Sequence, residues 1–191
     1  MASVSSKRLF DLVVGIPVFI VLFVPMLLIG LLVKLTSSGP ALHWSERIGV
    51  DNKIFLMPKF RTMRVDTPQL ATHKLNNPQQ YLTPIGGFLR KLSLDELPQF
   101  WSVIVGDMSL VGPRPALFNQ DDLISLRTKL GVHKVPPGIT GWAQINGRDE
   151  LSIPEKVRYD VEYAAKRSFA FDTKIILLTI MNAISSKGVT H

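Results

Sequence analysis

The chain has 191 residues, which is enough for one domain with a hydrophobic core and short for two, and its lack of cysteine excludes disulfides and cysteine-ligated metals. A formal net charge of +7 indicates an anionic partner such as nucleic acid, anionic lipid or a phosphate-bearing substrate. We expect no nucleic-acid partner, because the aromatic residues are not interleaved with basic ones and no zinc, helix-turn-helix or RNP motif is present.

The first predicted element is an apolar helix from Leu9 to Leu35. Its central run, VVGIPVFIVLFVPMLLIGLL, carries no charge and at about 20 residues is long enough to span a bilayer. One transmembrane helix is therefore the simplest interpretation. Pro25 favours another, because proline breaks or kinks a helix and each half would be only about 18 Å long, too short to cross the hydrocarbon alone.

The charges beside this helix also favour a path that returns to the side on which it started. Lys7 and Arg8 precede the apolar run and Lys34 follows it, and basic residues prefer the cytoplasmic face. We therefore predict a re-entrant membrane helix within residues 1–36, broken near Pro25, with Pro17 as a second candidate for the main bend. Residues 37–191 would form one domain continuous with it, seated on the anionic inner leaflet.

After the turn at Ser37–Pro40, the chain predicts a small β-hairpin. Its strands lie near Ala41–Arg47 and Lys53–Phe60, with a turn at Gly49–Asn52. Lys59 and Arg61 are two residues apart, so both would project from one face of an extended strand. A solvated strand face explains the same spacing equally well.

The next feature is the pair of adjacent carboxylates in the segment SLDELPQFW. Ser93 and Glu96 match a capping box, which would start a helix at Ser93, whereas Pro98 favours a start near Asp95. Either start places Asp95 and Glu96 at a helix N-terminus, which attracts anions. Two carboxylates would repel a phosphate there unless a cation bridges them, which suggests Mg²⁺. Helix capping alone is the competing interpretation of both acids.

Arginines lie on both sides of this pair. Arg90 precedes it, and Arg114 follows within Gly112–Pro115, where flanking prolines stiffen the backbone. A rigidly mounted guanidinium suits binding of a phosphate or carboxylate. An exposed structural loop would also accommodate the proline-rich segment.

The remaining chain predicts three helices and an ordered loop. A charged helix covers Asp121–Leu130, and VPPGITGWAQINGR (residues 135–148) is punctuated as a loop or short strand anchored by Trp142. A helix is predicted from Pro154 to about Lys166, and the segment Phe169–Asp172 separates it from the next helix. Asp172 or Thr173 then caps a last apolar helix, which fits either an interfacial position or the core.

Four segments together carry a resemblance to a known family. They are the N-terminal run KRLFDLVV with the apolar helix, KFRTM (residues 59–63), RKLSLDELPQFWSVIVGDMSLVGPRP (residues 90–115) and PGITGWAQINGR (residues 137–148). In this order they resemble the bacterial sugar transferase family of small monotopic phosphoglycosyl transferases, over nearly the whole chain. The fold class expected is α-rich α+β: a re-entrant membrane helix hairpin, interfacial amphipathic helices, a small β-hairpin and a compact catalytic domain on the cytoplasmic face.

The resemblance implies an activity and a location. Such enzymes transfer a sugar 1-phosphate from a UDP-sugar to polyprenyl (undecaprenyl) phosphate, release UMP, require Mg²⁺ and begin glycoconjugate assembly at the cytoplasmic face of the bacterial inner membrane. A homodimer is compatible with the sequence. The rival interpretations are a glycosyl transferase that releases UDP and a non-catalytic, membrane-anchored binding module.

The resemblance also implies roles for particular residues. Asp95 matches the nucleophile of the family, and Glu96 is its partner, so that both are candidates for holding Mg²⁺. The expected substrate-binding residues are basic: Arg90, Arg114, Lys59, Arg61 and Arg148. One departure concerns the membrane helix, because the family often has serine before the proline that breaks the helix, and Val24 stands there. That difference weakens the prediction of the bend, since a serine hydroxyl could have assisted it.

Overall fold

The N-terminal element is one long helix in the computed structural model, which describes residues 2–68, 77–147 and 150–184. Helix α1 covers Ala2–Thr36 and runs without interruption through Pro17 and Pro25. Among the described residues it is the one helix long and apolar enough to cross a membrane, from Ser6 to Thr36. The expected break at Pro25 is not seen as an end of the helix, so the re-entrant path stays a prediction.

Helix α1 packs on the rest of the chain along one side of its length, where Phe10, Val14, Phe19, Leu22, Met26 and Val33 join the core clusters. Gly15 faces Val103 and Leu110 at the first contact, and Gly30 faces Phe60 at the second. The side of the helix that faces away from these contacts carries apolar side chains that are largely exposed: Ile20, Val21, Phe23, Val24, Leu27 and Leu28. A row of exposed apolar side chains is what a lipid-facing surface requires.

The predicted β-hairpin is confirmed. Strand β1 (Leu42–Ile48) pairs antiparallel with β2 (Ile54–Phe60), and the turn between them contains a 3₁₀ segment at Val50–Asn52. The register places His43 opposite Lys59 and Arg47 opposite Phe55. Because side chains alternate between the two faces of a sheet, His43, Arg47 and Lys59 share one face.

The segment around the carboxylate pair contains two short helices. Helix α2 covers Gly86–Lys91 and α3 covers Gln99–Val105, with a 3₁₀ turn at Leu94–Glu96 between them. The capping box expected at Ser93 is wrong: Ser93 has a left-handed backbone (φ 54) and its side chain makes no capping bond. Pro98 stands at the N-cap of α3, where its missing N–H is harmless.

Two three-residue strands join distant parts of the chain. Strand β3 (Ser109–Val111) pairs in parallel with β4 (Gly138–Thr140). Helix α4 (Asp121–Lys129) matches the predicted charged helix and lies between them in the sequence. Helix α5 (Trp142–Ile145) directly follows β4, so the predicted loop contains a strand and one helical turn.

The C-terminal part is a pair of helices. Helix α6 (Ile153–Lys166) begins with a capping box formed by Ser152 and Glu155, close to its predicted start at Pro154. Helix α7 covers Phe169–Ile184, so the prediction that Phe169–Asp172 precedes the last helix is wrong. Asp172 is instead buried, where its carboxylate accepts a hydrogen bond from the hydroxyl of Tyr163 and forms an ion pair with Lys7.

Helix α7 also presents apolar side chains to solvent: Phe169, Leu177, Ile180 and Met181. Its buried side includes Ile175, which belongs to the main core cluster together with Val103, Leu110 and Tyr163. The last two helices therefore enclose the core from one side, with an apolar face left outward on α7.

Candidate active site

Asp95 and Glu96 lie in the 3₁₀ turn that precedes α3, at the centre of a cluster of basic side chains. The left-handed backbone at Ser93 reverses the chain just before the turn. The two carboxylates are neighbours in sequence, yet their surroundings differ. That difference defines the chemistry available to each.

Glu96 is held by two cations. The Nζ atom of Lys59 lies 2.8 Å from Oε1 of Glu96, and the guanidinium of Arg114 donates to Oε1 at 2.8 Å and to Oε2 at 3.4 Å. Burial alone would raise the pKa of Glu96, but Arg114 and Lys59 hold that pKa well below its usual range. Glu96 is therefore a permanent anion that orders the two cations.

Asp95 is buried, at 9% exposure, and makes no hydrogen bond to another side chain within the described part of the chain. Its pKa is raised by burial and by the charge of Glu96, while Lys59 and Arg90 oppose the shift. A carboxylate in this setting is weakly solvated, and its oxygens are free to contact a ligand. Among the two acids, Asp95 is thus the one available for reaction.

Arg90 lies beside Asp95 at the end of α2. Its Nε donates to the hydroxyl of Thr62 at 2.9 Å, which fixes the side chain. Burial lowers the pKa of Arg90, and the charge of Asp95 opposes that effect. The structure therefore brings together Arg90, Lys59 and Arg114 around the two acids, as the sequence predicted.

The backbone of Arg114 is itself fixed by a hydrogen bond from another arginine. Arg127 donates to the carbonyl oxygen of Arg114 at 2.8 Å, and it forms a buried ion pair with Asp160 at 2.7 Å. Glycines permit the chain to pass closely here: a Cβ on Gly138 or Gly141 would overlap backbone atoms of Gly112. The motif around residues 137–141 thus supports the segment that carries Arg114.

Two site residues were missed by the sequence analysis. Arg47 donates to the carbonyl oxygen of Pro115 at 3.1 Å. Burial and the charge of Arg114 lower the pKa of Arg47 to about 10. His43 lies near Lys59 and Arg47, and burial together with these two charges lowers its pKa. The register of the predicted hairpin would have revealed both, because they share a face with Lys59.

One of the predicted binding residues, Arg61, stands apart from this cluster. The guanidinium of Arg61 is buried and donates to the carbonyl oxygens of Pro40 at 2.6 Å and Ser37 at 3.0 Å, so it ties the end of α1 to β2. Strand β2 ends at Phe60, so Arg61 lies outside the strand and does not share a strand face with Lys59 as expected. Arg148 lies outside the described residues.

The acid pair fits a Mg²⁺ ion that takes its remaining ligands from a substrate. No group of three or more potential ligand side chains is found within residues 2–68, 77–147 and 150–184, so these residues do not build an all-protein cage. Mg²⁺ is commonly held through one or two carboxylates together with phosphate oxygens of a substrate. Asp95 offers free oxygens for this purpose, whereas Glu96 would share its oxygens with Lys59 and Arg114.

The fold and the cluster together define a class of domain with one long apolar helix and a group of basic side chains beside a buried carboxylate. Comparison with known proteins agrees with this class. The family model described as bacterial sugar transferase matches residues 2–186. The chain belongs to the bacterial sugar transferase family.

Three relatives illustrate the similarity. The UDP-glucose:undecaprenyl-phosphate glucose-1-phosphate transferase of Escherichia coli (strain K12) is 40% identical over 190 residues, covering 95% of this chain and 41% of the relative. The uncharacterized sugar transferase EpsL of Bacillus subtilis (strain 168) is 41% identical, covering 96% of this chain and 89% of the relative. The exopolysaccharide production protein ExoY of Rhizobium meliloti (strain 1021) is 37% identical, covering 96% and 87%. The chain thus spans less than half of the first relative and most of the other two.

Proposed function

We propose that this protein transfers a sugar 1-phosphate from a UDP-sugar to polyprenyl phosphate, releases UMP and begins the assembly of a glycoconjugate. The observation that carries the proposal is the state of Asp95, a buried carboxylate that accepts no hydrogen bond from another described side chain, beside cations that Glu96 holds in place. The name of the Escherichia coli relative makes UDP-glucose the first sugar nucleotide to test and undecaprenyl phosphate the first acceptor.

In the first step, an oxygen of the Asp95 carboxylate attacks the β-phosphorus of the UDP-sugar. A new oxygen–phosphorus bond forms, and the bond from that phosphorus to the bridging oxygen breaks, so UMP leaves with the electron pair. The enzyme then carries a sugar phosphate on Asp95 as an acyl phosphate. Arg90, Lys59 and Arg114 stabilise the negative charge on the diphosphate and on the departing UMP.

In the second step, an oxygen of polyprenyl phosphate attacks the same phosphorus. The bond from phosphorus to Asp95 breaks, which restores the carboxylate and yields a polyprenyl diphosphate sugar. Each step exchanges one phosphorus–oxygen bond for another, so the reaction needs no oxidant or further reactant. Two substrates from different phases, one soluble and one in the membrane, can therefore use one carboxylate in turn.

Asp95, with Glu96 beside it, would hold Mg²⁺ together with phosphate oxygens of the substrate. The ion would supply positive charge to the diphosphate as the leaving group departs. Glu96 keeps its ion pairs with Lys59 and Arg114, so its main contribution is to order these cations. The requirement is tested by metal removal: a chelator abolishes UMP release, and added Mg²⁺ restores it.

The packing of α1 supports a monotopic position at the cytoplasmic face of the inner membrane. A straight helix of this length measures about 50 Å, and a spanning helix would carry one of its ends to the far side of the bilayer. Gly15 and Gly30 both contact the catalytic domain instead. A helix that enters and leaves by the same face, bending at Pro25 or Pro17, satisfies both contacts.

The experiment that tests the function measures products with the purified full chain, Mg²⁺, UDP-glucose and undecaprenyl phosphate. UMP is the expected product, and UDP would instead establish a glycosyl transferase that moves the sugar alone. The Asp95→Asn variant is expected to lose turnover, while Asp107→Asn, at an exposed position, retains it. A folded Asp95→Asn variant with full activity would overturn the nucleophile.

A second measurement separates the two steps. Incubation with UDP-glucose alone is expected to leave a hexose phosphate on Asp95, detectable by intact mass, and addition of undecaprenyl phosphate should remove it. Binding of UDP-sugars without release of any product would favour the non-catalytic binding module.

A further inference from the structure

Arg47 is placed at the site by the hairpin and is fixed there by two hydrogen bonds. Its side chain shares the face of the β1–β2 hairpin that carries Lys59. One guanidinium nitrogen donates to the carbonyl oxygen of Pro115 at 3.1 Å, and Nε donates to the hydroxyl of Ser45 at 3.0 Å. Both acceptors are neutral groups. Arg47 is thus oriented without having its charge cancelled.

The other arginines with known acidic partners make a useful contrast. Arg127 pairs with Asp160 at 2.7 Å, Arg114 with Glu96 at 2.8 Å and Arg64 with Asp66 at 2.6 Å. For Arg47, no carboxylate of a described residue lies within the 4.0 Å that defines such a pair. A partly buried cation without a counterion is costly, since burial removes water that would otherwise stabilise the charge.

The neighbours of Arg47 increase that cost. Its pKa is lowered by burial first and by the positive charge of Arg114 second, and Glu96 offsets only part of the effect. Lys59 is also of like charge and lies close enough for each to affect the other. The described site thus has an excess of positive charge: Arg47, Lys59, Arg90 and Arg114 face only Asp95 and Glu96.

This excess of positive charge favours an anionic ligand such as the diphosphate in the proposed reaction. Four cations against two carboxylates leave two positive charges uncompensated among the described side chains. The diphosphate of a nucleotide sugar carries an ionised oxygen on each phosphorus, and so bears the same number of negative charges. Removal of Arg47 would halve the excess.

We infer that Arg47 is a further binding residue for the diphosphate of the nucleotide sugar, to which it contributes an uncompensated positive charge. The inference rests on the proposed function, because that function supplies the diphosphate. Its hydrogen bond to Pro115 fixes the guanidinium beside the segment of Arg114, so the two arginines act on the same ligand from adjacent positions.

The test compares a variant that removes the charge with one that retains it. Arg47→Gln removes the charge and keeps an N–H donor for the Pro115 carbonyl, while Arg47→Lys keeps the charge. Arg64→Gln is the matched control, because Arg64 pairs with the exposed Asp66 away from the cluster. Equilibrium binding of UDP-glucose and of inorganic pyrophosphate to the full chain is measured, with thermal unfolding as the check on folding.

Arg47→Gln is expected to weaken binding of both probes about tenfold, the order expected for loss of one charge interaction in a partly buried site. Arg47→Lys should stay within about threefold of the unmodified chain, and Arg64→Gln should match it. Salt should also weaken binding less in Arg47→Gln, because fewer charges are screened. Two results would overturn the inference: a folded Arg47→Gln variant that binds normally, or Arg47→Lys binding as poorly as Arg47→Gln.

The outcomes separate this inference from the proposed function. Normal binding by Arg47→Gln, with UMP release that still depends on Asp95, removes Arg47 and leaves the function intact. Binding of pyrophosphate that depends on Arg47, without use of UDP-glucose, supports Arg47 and redirects the search to another nucleotide sugar. If the unmodified chain binds neither probe, both proposals fail together.

Discussion

The two adjacent acids differ because one is paired and the other is not. Glu96 receives three hydrogen bonds from Lys59 and Arg114, which stabilise its ionised form. Asp95 loses its solvent and gains only longer-range attraction from Lys59 and Arg90. Adjacent carboxylates in one site thus take separate roles, one ordering cations and one remaining reactive.

The first prediction concerns pH. In the proposed mechanism Asp95 must be ionised, and its pKa is raised above the ordinary 3.8, so activity should rise with pH through a value higher than 3.8. Lys59 lowers the pKa of Asp95 and must itself be protonated, and burial brings its own pKa below 10.5. We expect a bell-shaped profile of kcat/KM for UMP release.

Lys59→Met tests the origin of the acid limb of this profile. Because Lys59 stabilises the ionised Asp95, its removal should move the acid limb to higher pH, together with a loss of activity. Lys59→Arg keeps a positive charge and should shift the limb less. Lys53→Met, at an exposed position in the same hairpin, serves as the control. An acid limb that does not move in Lys59→Met would show that Asp95 does not govern it.

At the scale of elements, the support beneath Arg114 is the most sensitive feature. Helices α4 and α6 meet at the ion pair between Arg127 and Asp160, whose side chains are 9% and 2% exposed. Removal of one partner leaves a buried charge without compensation, which typically costs about 3–5 kcal/mol. The carbonyl of Arg114 also depends on Arg127 as its donor.

We therefore expect Asp160→Asn to lower the melting temperature by about 10 °C, using roughly 2–4 °C per kcal/mol for a chain of this size. UMP release should fall as well, since Arg114 loses its support. Lys166→Met removes the exposed pair with Glu162 in the same helix and should change the melting temperature by less than about 2–4 °C. Equal effects of the two substitutions would contradict the assignment. The double variant Arg127→Met/Asp160→Leu should be less destabilised than Asp160→Asn.

The glycines of β4 and its flanks provide another test at this scale. A Cβ on Gly138 would overlap the backbone nitrogen of Gly112, two residues before Arg114. Gly138→Ala should therefore separate β3 from β4, displace Arg114 and reduce both stability and UMP release. Gly87→Ala is the control, since its Cβ meets only Leu82 at 3.7 Å. An active, stable Gly138→Ala variant would show that the close approach is dispensable.

Local patterns predicted the elements whose determinants are local. The hairpin followed from its turn and strand composition, and α6 from Pro154 at its first turn. The start of α3 was missed because the left-handed backbone at Ser93 overrides a good capping sequence. The start of α7 was misplaced because Asp172 is a buried partner of Tyr163 and not a cap.

The site was predictable in part for the same reason. One stretch of sequence contains Asp95, Glu96, Arg90 and Arg114. Lys59 was predicted from the separate motif KFRTM (residues 59–63). Asp160 and Arg127 pair across two helices although they are 33 residues apart in the sequence, and no local pattern contains that information. Arg47 could have been predicted from the hairpin, because the pairing of the two strands places it on the same face as Lys59.

At the scale of the whole molecule, charged side chains tie α1 to the elements around the acid pair. Lys7 bridges the buried carboxylates of Asp11 at 3.1 Å and Asp172 at 2.8 Å, and so joins α1 to α7. Arg8 donates to the carbonyl oxygens of Val103 and Ile104 near the end of α3. The helix that begins beside the acid pair is thus held at its other end by the membrane element.

The path of α1 through the membrane gives the last prediction. If α1 enters and leaves by the cytoplasmic face, residues before and after the apolar run lie on the same side, and the exposed middle of the helix lies in lipid. The absence of cysteine allows this to be measured by site-directed labelling without background. Ser6→Cys and Ser38→Cys mark the two ends, and Val24→Cys marks the middle, which is 61% exposed.

A membrane-impermeant maleimide should label neither end variant in intact spheroplasts and should label both after the membrane is permeabilised. Val24→Cys should resist labelling in both conditions, because lipid excludes the reagent from that position, and should react after denaturation. Labelling of one end variant in intact spheroplasts would establish a spanning helix. In that case the contacts of Gly15 and Gly30, which both lie inside the apolar run, would fall within the hydrocarbon.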